Sequence, residues 1–105
     1  CVARLHFAAT GKPNPTALYD LGAAAAQLCL QATALGLAAH QMRGFDVARA
    51  RTELGIPGSH EPVACIAVGR LGQPEALPEA LAAREVAPRV RKPQAEILHG
   101  AAWPG

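Results

Sequence analysis

The apolar positions in residues 16–44 follow the spacing of one long helix. Leucines and alanines recur at steps of three and four residues, which places them on one side of a helix with about 3.6 residues per turn. These positions are Leu18, Leu21, Ala25, Leu28, Ala32 and Leu35. A second row at the same spacing carries only small side chains: Gly22, Ala26, Cys29, Thr33 and Gly36. A helix that is apolar or small around most of its circumference is normally buried, so we expect a long central helix buried between layers or against a second copy of itself.

Shorter apolar runs predict the elements around this helix. Strands are predicted at residues 1–9, 37–42 and 63–69. The last of these runs is continuously apolar, which is typical of a central strand. Asp46 is placed to cap a second predicted helix at residues 47–54. The order strand, helix, strand, helix, strand favours an α+β fold with mixed α/β layers.

The ends of the long helix carry residues that cap or stop a helix. Asn14 or Thr16 is placed to cap its start, and Gly36 is placed to end it in a left-handed turn. Towards the C-terminus prolines recur and the periodicity breaks down. Residues 73–105 are therefore predicted to form an extended C-terminal arm that lies over another surface.

Composition limits the core that this chain can build. At 105 residues, half of them apolar and with a formal net charge of +2, the chain fits one small domain. Ala and Gly dominate the apolar residues and only 4% of residues are aromatic, so we expect a partner to complete the core. No signal peptide is visible, and Gln27 and Gln31 interrupt the stretch that is long enough to span a membrane. A cytoplasmic location is expected.

The cysteines and histidines do not form a metal-binding pattern. The three cysteines include no Cys-x-x-Cys pair, and the four histidines lie far apart in the sequence. Cys29 and Cys65 fall within apolar patterns, so we expect buried, reduced thiols and no metal. The first residue is Cys1 rather than Met, which we interpret as a sign of a processed product or a fragment.

The basic residues near the C-terminus form the first candidate site. Arg89, Arg91 and Lys92 lie between Pro88 and Pro93. In an extended segment Arg89 and Arg91 lie on the same side, where two guanidinium groups would hold one phosphate through charge-assisted hydrogen bonds. A solvated charged face is the alternative interpretation. Nucleic-acid binding is disfavoured because the patch is small and no aromatic residues interleave it.

A turn after the second predicted strand is the other candidate site. It consists of Gln41, Met42, Arg43, Gly44 and Phe45. The end of a buried strand is a common place for a ligand in α/β sheets, and Gly44 allows the backbone to approach a ligand closely. A plain connection from strand to helix is the alternative. No Ser-His-Asp set, paired carboxylates or glycine-rich phosphate loop occurs in the chain.

Several short motifs, in order along nearly the whole chain, resemble the C-terminal half of the nitroreductase family. They are Asn14-Pro15, Leu18-Tyr19-Asp20-Leu21-Gly22, LCLQATALGL, His40-Gln41-Met42 with Gly44-Phe45-Asp46, Leu54-Gly55-Ile56-Pro57, Glu61-Pro62-Val63, Ala67-Val68-Gly69, Arg91-Lys92-Pro93 and Trp103. The resemblance implies an FMN-dependent NAD(P)H oxidoreductase of α+β fold. It also implies an intertwined homodimer in which the long central helices pack across the dimer and the flavin sites lie at the interface.

The resemblance also assigns both candidate sites to one cofactor. It implies that Gln41, Met42, Arg43 and Gly44 bind FMN, with the backbone amides at Arg43 and Gly44 against the flavin ring. Arg89 and Arg91 are implied to bind the FMN phosphate. The implied mechanism is ping-pong: NAD(P)H passes hydride to FMN, and the reduced flavin passes electrons to a nitroaromatic, a quinone or a similar acceptor.

The chain departs from the family pattern in two respects. The N-terminal half of the family, with its arginine-and-serine motif for FMN, has no counterpart, so we expect the 105-residue chain to be inactive alone. A non-catalytic dimerisation or interaction remnant of the same fold is the alternative. Arg43 is the second departure: its cation either favours reduced, anionic flavin or projects into solvent.

Overall fold

The computed structural model describes residues 1–98 and Gly100. Trp103, which contributes to the family resemblance, lies outside these residues, as does His99. The chain divides into two units, Cys1–Leu71 and Gly72–Gly105, and each is described by itself.

The long helix of the first unit, α1, spans Ala17–Ala34, as the apolar periodicity predicts. Thr16 stands at the capping position, but its side chain accepts no hydrogen bond from the first turn. The side-chain oxygen of Asn14 accepts one from the N–H of Thr16 itself at 3.2 Å, so neither predicted side-chain cap is confirmed. At its end, Gly36 adopts a φ of 72°, which an L side chain rarely tolerates. The N–H groups of Gly36 and Leu37 donate to the carbonyls of Thr33 and Ala32 at 3.0 and 2.9 Å. These bonds form a Schellman motif, so the predicted helix end at Gly36 is confirmed.

In the part of the chain that the structure describes, four short strands pair into two antiparallel two-stranded sheets. Strand β1 (Val2–Arg4) pairs with β3 (His60–Pro62), and β2 (Ala38–Met42) pairs with β4 (Cys65–Gly69). The strand predicted at residues 63–69 is confirmed as β4, which begins two residues later, but its predicted central position is wrong for the single chain. The chain instead leaves one sheet at Pro62 and enters the other at Cys65, and β4 pairs only with β2 in the described part of the chain.

The core of this unit is small and consists mostly of alanines. Its buried apolar side chains, among the described residues, are Ala3, Ala17, Ala25 and Ala32, together with Pro62 of β3. Helix α1 contacts β2 and β1, and the narrow sheets cover only one stripe of its surface. Leu28, Leu30 and Leu35 remain 45%, 71% and 67% exposed. The prediction of a buried central helix is therefore wrong for the single chain, because periodicity identifies an apolar face but not what covers it.

A second helix, α2, spans Val47–Glu53 and follows β2. The carboxylate of Asp46 accepts a hydrogen bond from the backbone N–H of Arg49 at 3.0 Å, which confirms the predicted cap. The prediction of buried thiols is wrong for Cys65, which is exposed, whereas Cys29 is half-buried. Cys65 is exposed because β4 has only β2 beside it in the described residues.

The second unit contains one α-helix and two short 3₁₀ turns in its described part. Helix α3 spans Glu79–Glu85, and the 3₁₀ turns span Pro74–Ala76 and Gln94–Glu96. The extended arm at residues 73–105 stays a prediction. Across the described residues, none of the helices combines the length and apolar character that crossing a membrane requires.

Candidate functional site

The turn between β2 and α2 is held in place at both ends. Strand β2 ends at Met42 within its ladder to β4, and α2 begins at Val47 behind the Asp46 cap. Between these points the backbone N–H of Phe45 donates to the carbonyl of Arg43 at 2.9 Å. This bond closes a tight three-residue turn. The structure thus brings Gln41, Met42, Arg43 and Gly44 together at the end of a paired strand.

Arg43 is held against an aromatic ring of the same turn. Its guanidinium carbon lies 5.4 Å from the centroid of the Phe45 ring, within the range of a cation–π contact. Phe45 is half-buried, whereas Arg43 is exposed, so the ring lies beneath an exposed guanidinium. Neither ion pair in the described residues involves Arg43. Among the described residues, the stacked guanidinium therefore has no carboxylate partner.

Gln41 and Met42 differ in what their side chains offer to a ligand. The side-chain amide of Gln41 lies 3.4 Å from the sulfur of Cys29, so it faces α1. Successive strand residues face opposite sides of a sheet, which directs Met42 away from that helix. Cys29 is a neighbour of the candidate site that sequence reasoning assigned only to a buried helix face.

Gly44 leaves the backbone of the turn open. Its φ is not in the left-handed region, and a Cβ placed there would meet no atom within 4 Å. Neither backbone conformation nor packing against the described residues therefore requires glycine at this position. The lack of a side chain leaves the backbone at Gly44 open, and binding of a flavin ring there stays a prediction.

Arg89 and Arg91 lie in the second unit, between α3 and Pro93, in a segment without regular secondary structure. Both side chains are exposed. The guanidinium of Arg91 donates to the carbonyl of Val90 at 3.0 Å, and neither ion pair of the described residues includes Arg89 or Arg91. Both cations are therefore available to an anion, and their common orientation in an extended segment stays a prediction.

Arg51 has a role that sequence reasoning missed. From the sequence alone, Arg51, together with Arg49, is expected to form a solvated basic face of the second predicted helix. Its guanidinium instead donates to the carbonyls of Pro57 and His60 at 2.9 and 2.8 Å and to the carboxylate of Glu61 at 3.1 Å. These bonds hold α2 against β3. The only sequence signal for them is the presence of a basic residue and of Glu61 further along the chain.

An open apolar groove lies on the surface of the first unit. It has a volume of about 320 Å³ and runs between α1 and the start of the β2–β4 sheet. Its lining residues are Leu28, Gln31, Ala32, Leu35, Leu37 and Val68. The described residues contain no group of three or more His, Cys, Asp and Glu side chains arranged to hold a metal ion. The groove therefore offers apolar contacts rather than ligands for a metal.

Comparison of the chain with known proteins identifies its family. Residues 2–70 match the model of the nitroreductase family. Because this match covers more than half of the chain, the chain belongs to the nitroreductase family. The predicted family resemblance is confirmed.

Individual relatives agree with this family and show how much of them the chain spans. An uncharacterized 15.4 kDa protein encoded in the ask 5′ region of Mycolicibacterium smegmatis is 40% identical over 96 residues, which cover 89% of this chain and 65% of that protein. A crystal structure described as an oxidoreductase containing FMN is 36% identical, with a TM-score of 0.90 over 99% of this chain and 54% of its own. The chain thus spans about half the length of that solved relative.

A second solved relative supports the same α+β fold. A nitroreductase family protein from Clostridium difficile 630 is 26% identical, with a TM-score of 0.65 over 93% of this chain and 52% of its own. The predicted α+β class, as a partial nitroreductase-like fold, is confirmed.

Proposed function

We propose that this chain forms part of an FMN-dependent oxidoreductase that uses NAD(P)H to reduce a nitroaromatic, a quinone or a similar acceptor. The observation that carries the proposal is the likeness, over 99% of the chain, to a solved oxidoreductase containing FMN. The bound cofactor would supply two-electron transfer by a ping-pong mechanism. Because the chain spans about half of that relative, the catalytic activity is proposed for the full-length protein.

The residues of the β2–α2 turn are proposed to bind the flavin ring. Gly44 leaves the backbone open, and the β2 ladder and the Asp46 cap hold the two ends of the turn, so the amides of Arg43 and Gly44 present a pre-organised surface. Gln41 and Met42, the last two residues of β2, are proposed to bind FMN as part of the same segment. A fixed backbone loses little entropy when the ring binds, which favours affinity.

Arg89 and Arg91 are proposed to bind the FMN phosphate. Both guanidinium groups are exposed, and neither forms an ion pair in the described residues. A guanidinium donates two parallel hydrogen bonds to phosphate oxygens, and such charge-assisted bonds are stronger than neutral ones. The two residues would thus hold the phosphate group of the cofactor.

We also propose a homodimer through α1. Leu28 and Leu35 line an open apolar groove with Val68, and all three side chains are substantially exposed. Burying such surface against a second copy removes it from water at about 25 cal/mol per Å². The small residues in the second row of α1 would let the two helices approach closely.

We also propose a cytoplasmic location, which the free thiols of the three cysteines support.

An FMN titration of the full-length protein tests the cofactor assignment. We expect stoichiometric binding of FMN, and at least tenfold weaker binding in Arg91→Ala because a charge-assisted hydrogen bond contributes about 1.5–3 kcal/mol. Arg84→Ala is the matched control, since Arg84 is an exposed arginine of the same unit on α3. Failure of the wild-type protein to bind FMN would refute the function, and equal affinities of the two variants would refute the phosphate assignment.

A non-catalytic dimerisation or interaction module is the second candidate function. The exposed apolar face of α1 favours it, because that surface needs a partner whether or not a cofactor binds. Absorbance spectroscopy combined with light scattering separates the candidates. A yellow dimer supports the oxidoreductase, whereas a colourless stable dimer that takes up no added FMN supports the module.

A further inference from the structure

We infer that Arg43 raises the midpoint potential of the bound cofactor by stabilising its reduced, anionic form. The inference rests on the proposed function, because it requires FMN to bind at the β2–α2 turn. The backbone of the turn is proposed to bind the flavin ring, whereas the side chain of Arg43 is inferred to tune its potential.

The way in which Arg43 is held supports this role. The guanidinium stacks on a neutral ring, 5.4 Å from the centroid of Phe45, rather than on a carboxylate. An ion pair would hold the side chain but cancel its field, whereas a cation–π contact restrains it and leaves the charge intact. The turn therefore presents a localised positive charge.

The carboxylate of the same turn does not offset this charge by pairing with Arg43. The side chain of Asp46 accepts the hydrogen bond from the N–H of Arg49 at 3.0 Å and caps α2. The other carboxylates near α2 are also engaged, since Glu53 pairs with Arg49 and Glu61 pairs with Arg51. Arg43 therefore stays unneutralised among the described residues.

The effect of this charge on the cofactor follows from the charge balance of the reaction. Oxidised FMN accepts two electrons and one proton, delivered together as hydride by a reduced nicotinamide, and its ring becomes anionic while the nicotinamide is oxidised. A nearby cation stabilises the negatively charged form and leaves the neutral ring almost unaffected. Arg43 thus favours binding of reduced FMN over oxidised FMN, which is equivalent to a higher midpoint potential.

Reductive titration of the FMN-loaded full-length protein tests the inference. Dithionite is the reductant and a reference dye reports the potential. We expect Arg43→Gln to lower the ratio of Kd for oxidised FMN to Kd for reduced FMN about tenfold, which is a fall of about 30 mV for a two-electron couple. Arg43→Lys keeps the charge and should stay within about threefold of wild type.

Two further variants separate the electrostatic role from a structural one. Phe45→Leu removes the platform but keeps an apolar side chain, so we expect a smaller fall in the ratio than in Arg43→Gln. Arg4→Gln removes the same charge from β1, which belongs to the other sheet, and should leave the ratio unchanged. The effect of Arg43→Gln should shrink in about 1 M salt, where the Debye length is about 3 Å.

The outcomes distinguish failure of the inference from failure of the proposed function. If the wild-type protein does not bind FMN, the proposed function fails and the inference fails with it. If FMN binds and Arg43→Gln changes both Kd values equally, the function stands and the inference is overturned. An equal change in Arg4→Gln would also overturn it, because the effect would then reflect total charge rather than the turn.

Discussion

Removal of the Arg51 side chain should destabilise the first unit, and the structure allows the effect to be estimated. The guanidinium makes three hydrogen bonds of 3.1 Å or less, to the carbonyls of Pro57 and His60 and to the carboxylate of Glu61. Hydrogen bonds contribute about 0.5–1.5 kcal/mol each, so three of them give about 3 kcal/mol. The side chains of Arg51 and Glu61 are 32% and 39% exposed, so water replaces part of the loss. We expect Arg51→Ala to lower the free energy of unfolding by about 2 kcal/mol.

Arg49 supplies a matched control on the same helix. It forms an ion pair with Glu53 one turn away, at 2.8 Å, and the two side chains are 73% and 59% exposed. Exposed pairs with this spacing contribute about 0.3–0.5 kcal/mol. Arg49→Ala should therefore lower the free energy of unfolding by no more than about 0.5 kcal/mol.

Urea unfolding of the full-length variants, followed by circular dichroism, measures both effects. The Arg51→Ala midpoint should fall clearly below that of Arg49→Ala, with the same dependence of free energy on urea concentration. Arg51→Lys should lie close to Arg51→Ala, because one ammonium group cannot reproduce the planar fork. Equal midpoints for Arg51→Ala and Arg49→Ala would refute the conclusion that Arg51 holds α2 against β3.

Three further predictions concern the caps and the exposed helix face. Asp46→Ala removes the cap of α2 and should lower the free energy of unfolding by about 1 kcal/mol in the same assay, whereas Asp46→Asn should retain most of the stability. An unchanged free energy of unfolding in Asp46→Ala would contradict the capping role. Gly36→Ala places a side chain at a φ of 72° and should lower the free energy of unfolding by about 1 kcal/mol or more. A more stable Gly36→Ala variant would contradict this prediction. Leu35→Asp places a charge in the apolar groove and should convert the proposed dimer to a monomer in light scattering. Leu54→Asp, at an exposed leucine outside the groove, should leave the protein dimeric. A dimeric Leu35→Asp variant would exclude this face of α1 as the dimer interface.

The limits of both helices of the first unit could be predicted because their signals are local. The spacing of apolar residues and the left-handed preference of Gly36 act within a few residues of the helix end, and the same holds for the carboxylate of Asp46. The family could also be recognised, because its motifs recur in order along the chain. Of the candidate site, the turn at Arg43 and Gly44 was predictable as the end of a strand.

The strands were less predictable because pairing joins residues that are distant in sequence. The apolar run at residues 63–69 predicted the strand β4 but not its partner: β4 pairs with β2, whereas the preceding strand β3 pairs with β1. Partner choice depends on which edges the fold brings together, and a run of apolar residues carries no information about that. The stacking of Arg43 on Phe45 likewise depends on the backbone of the turn rather than on their spacing.

Arg49 and Arg51 show most directly what the sequence determined and what it left to the tertiary structure. The sequence alone determined that both are basic residues of one capped helix. Only the tertiary structure decided that Arg49 lies in solvent while Arg51 binds two carbonyls and Glu61. The reason is physical: helix formation depends on neighbours within a few residues, whereas the environment of a side chain depends on which distant segment packs beside it.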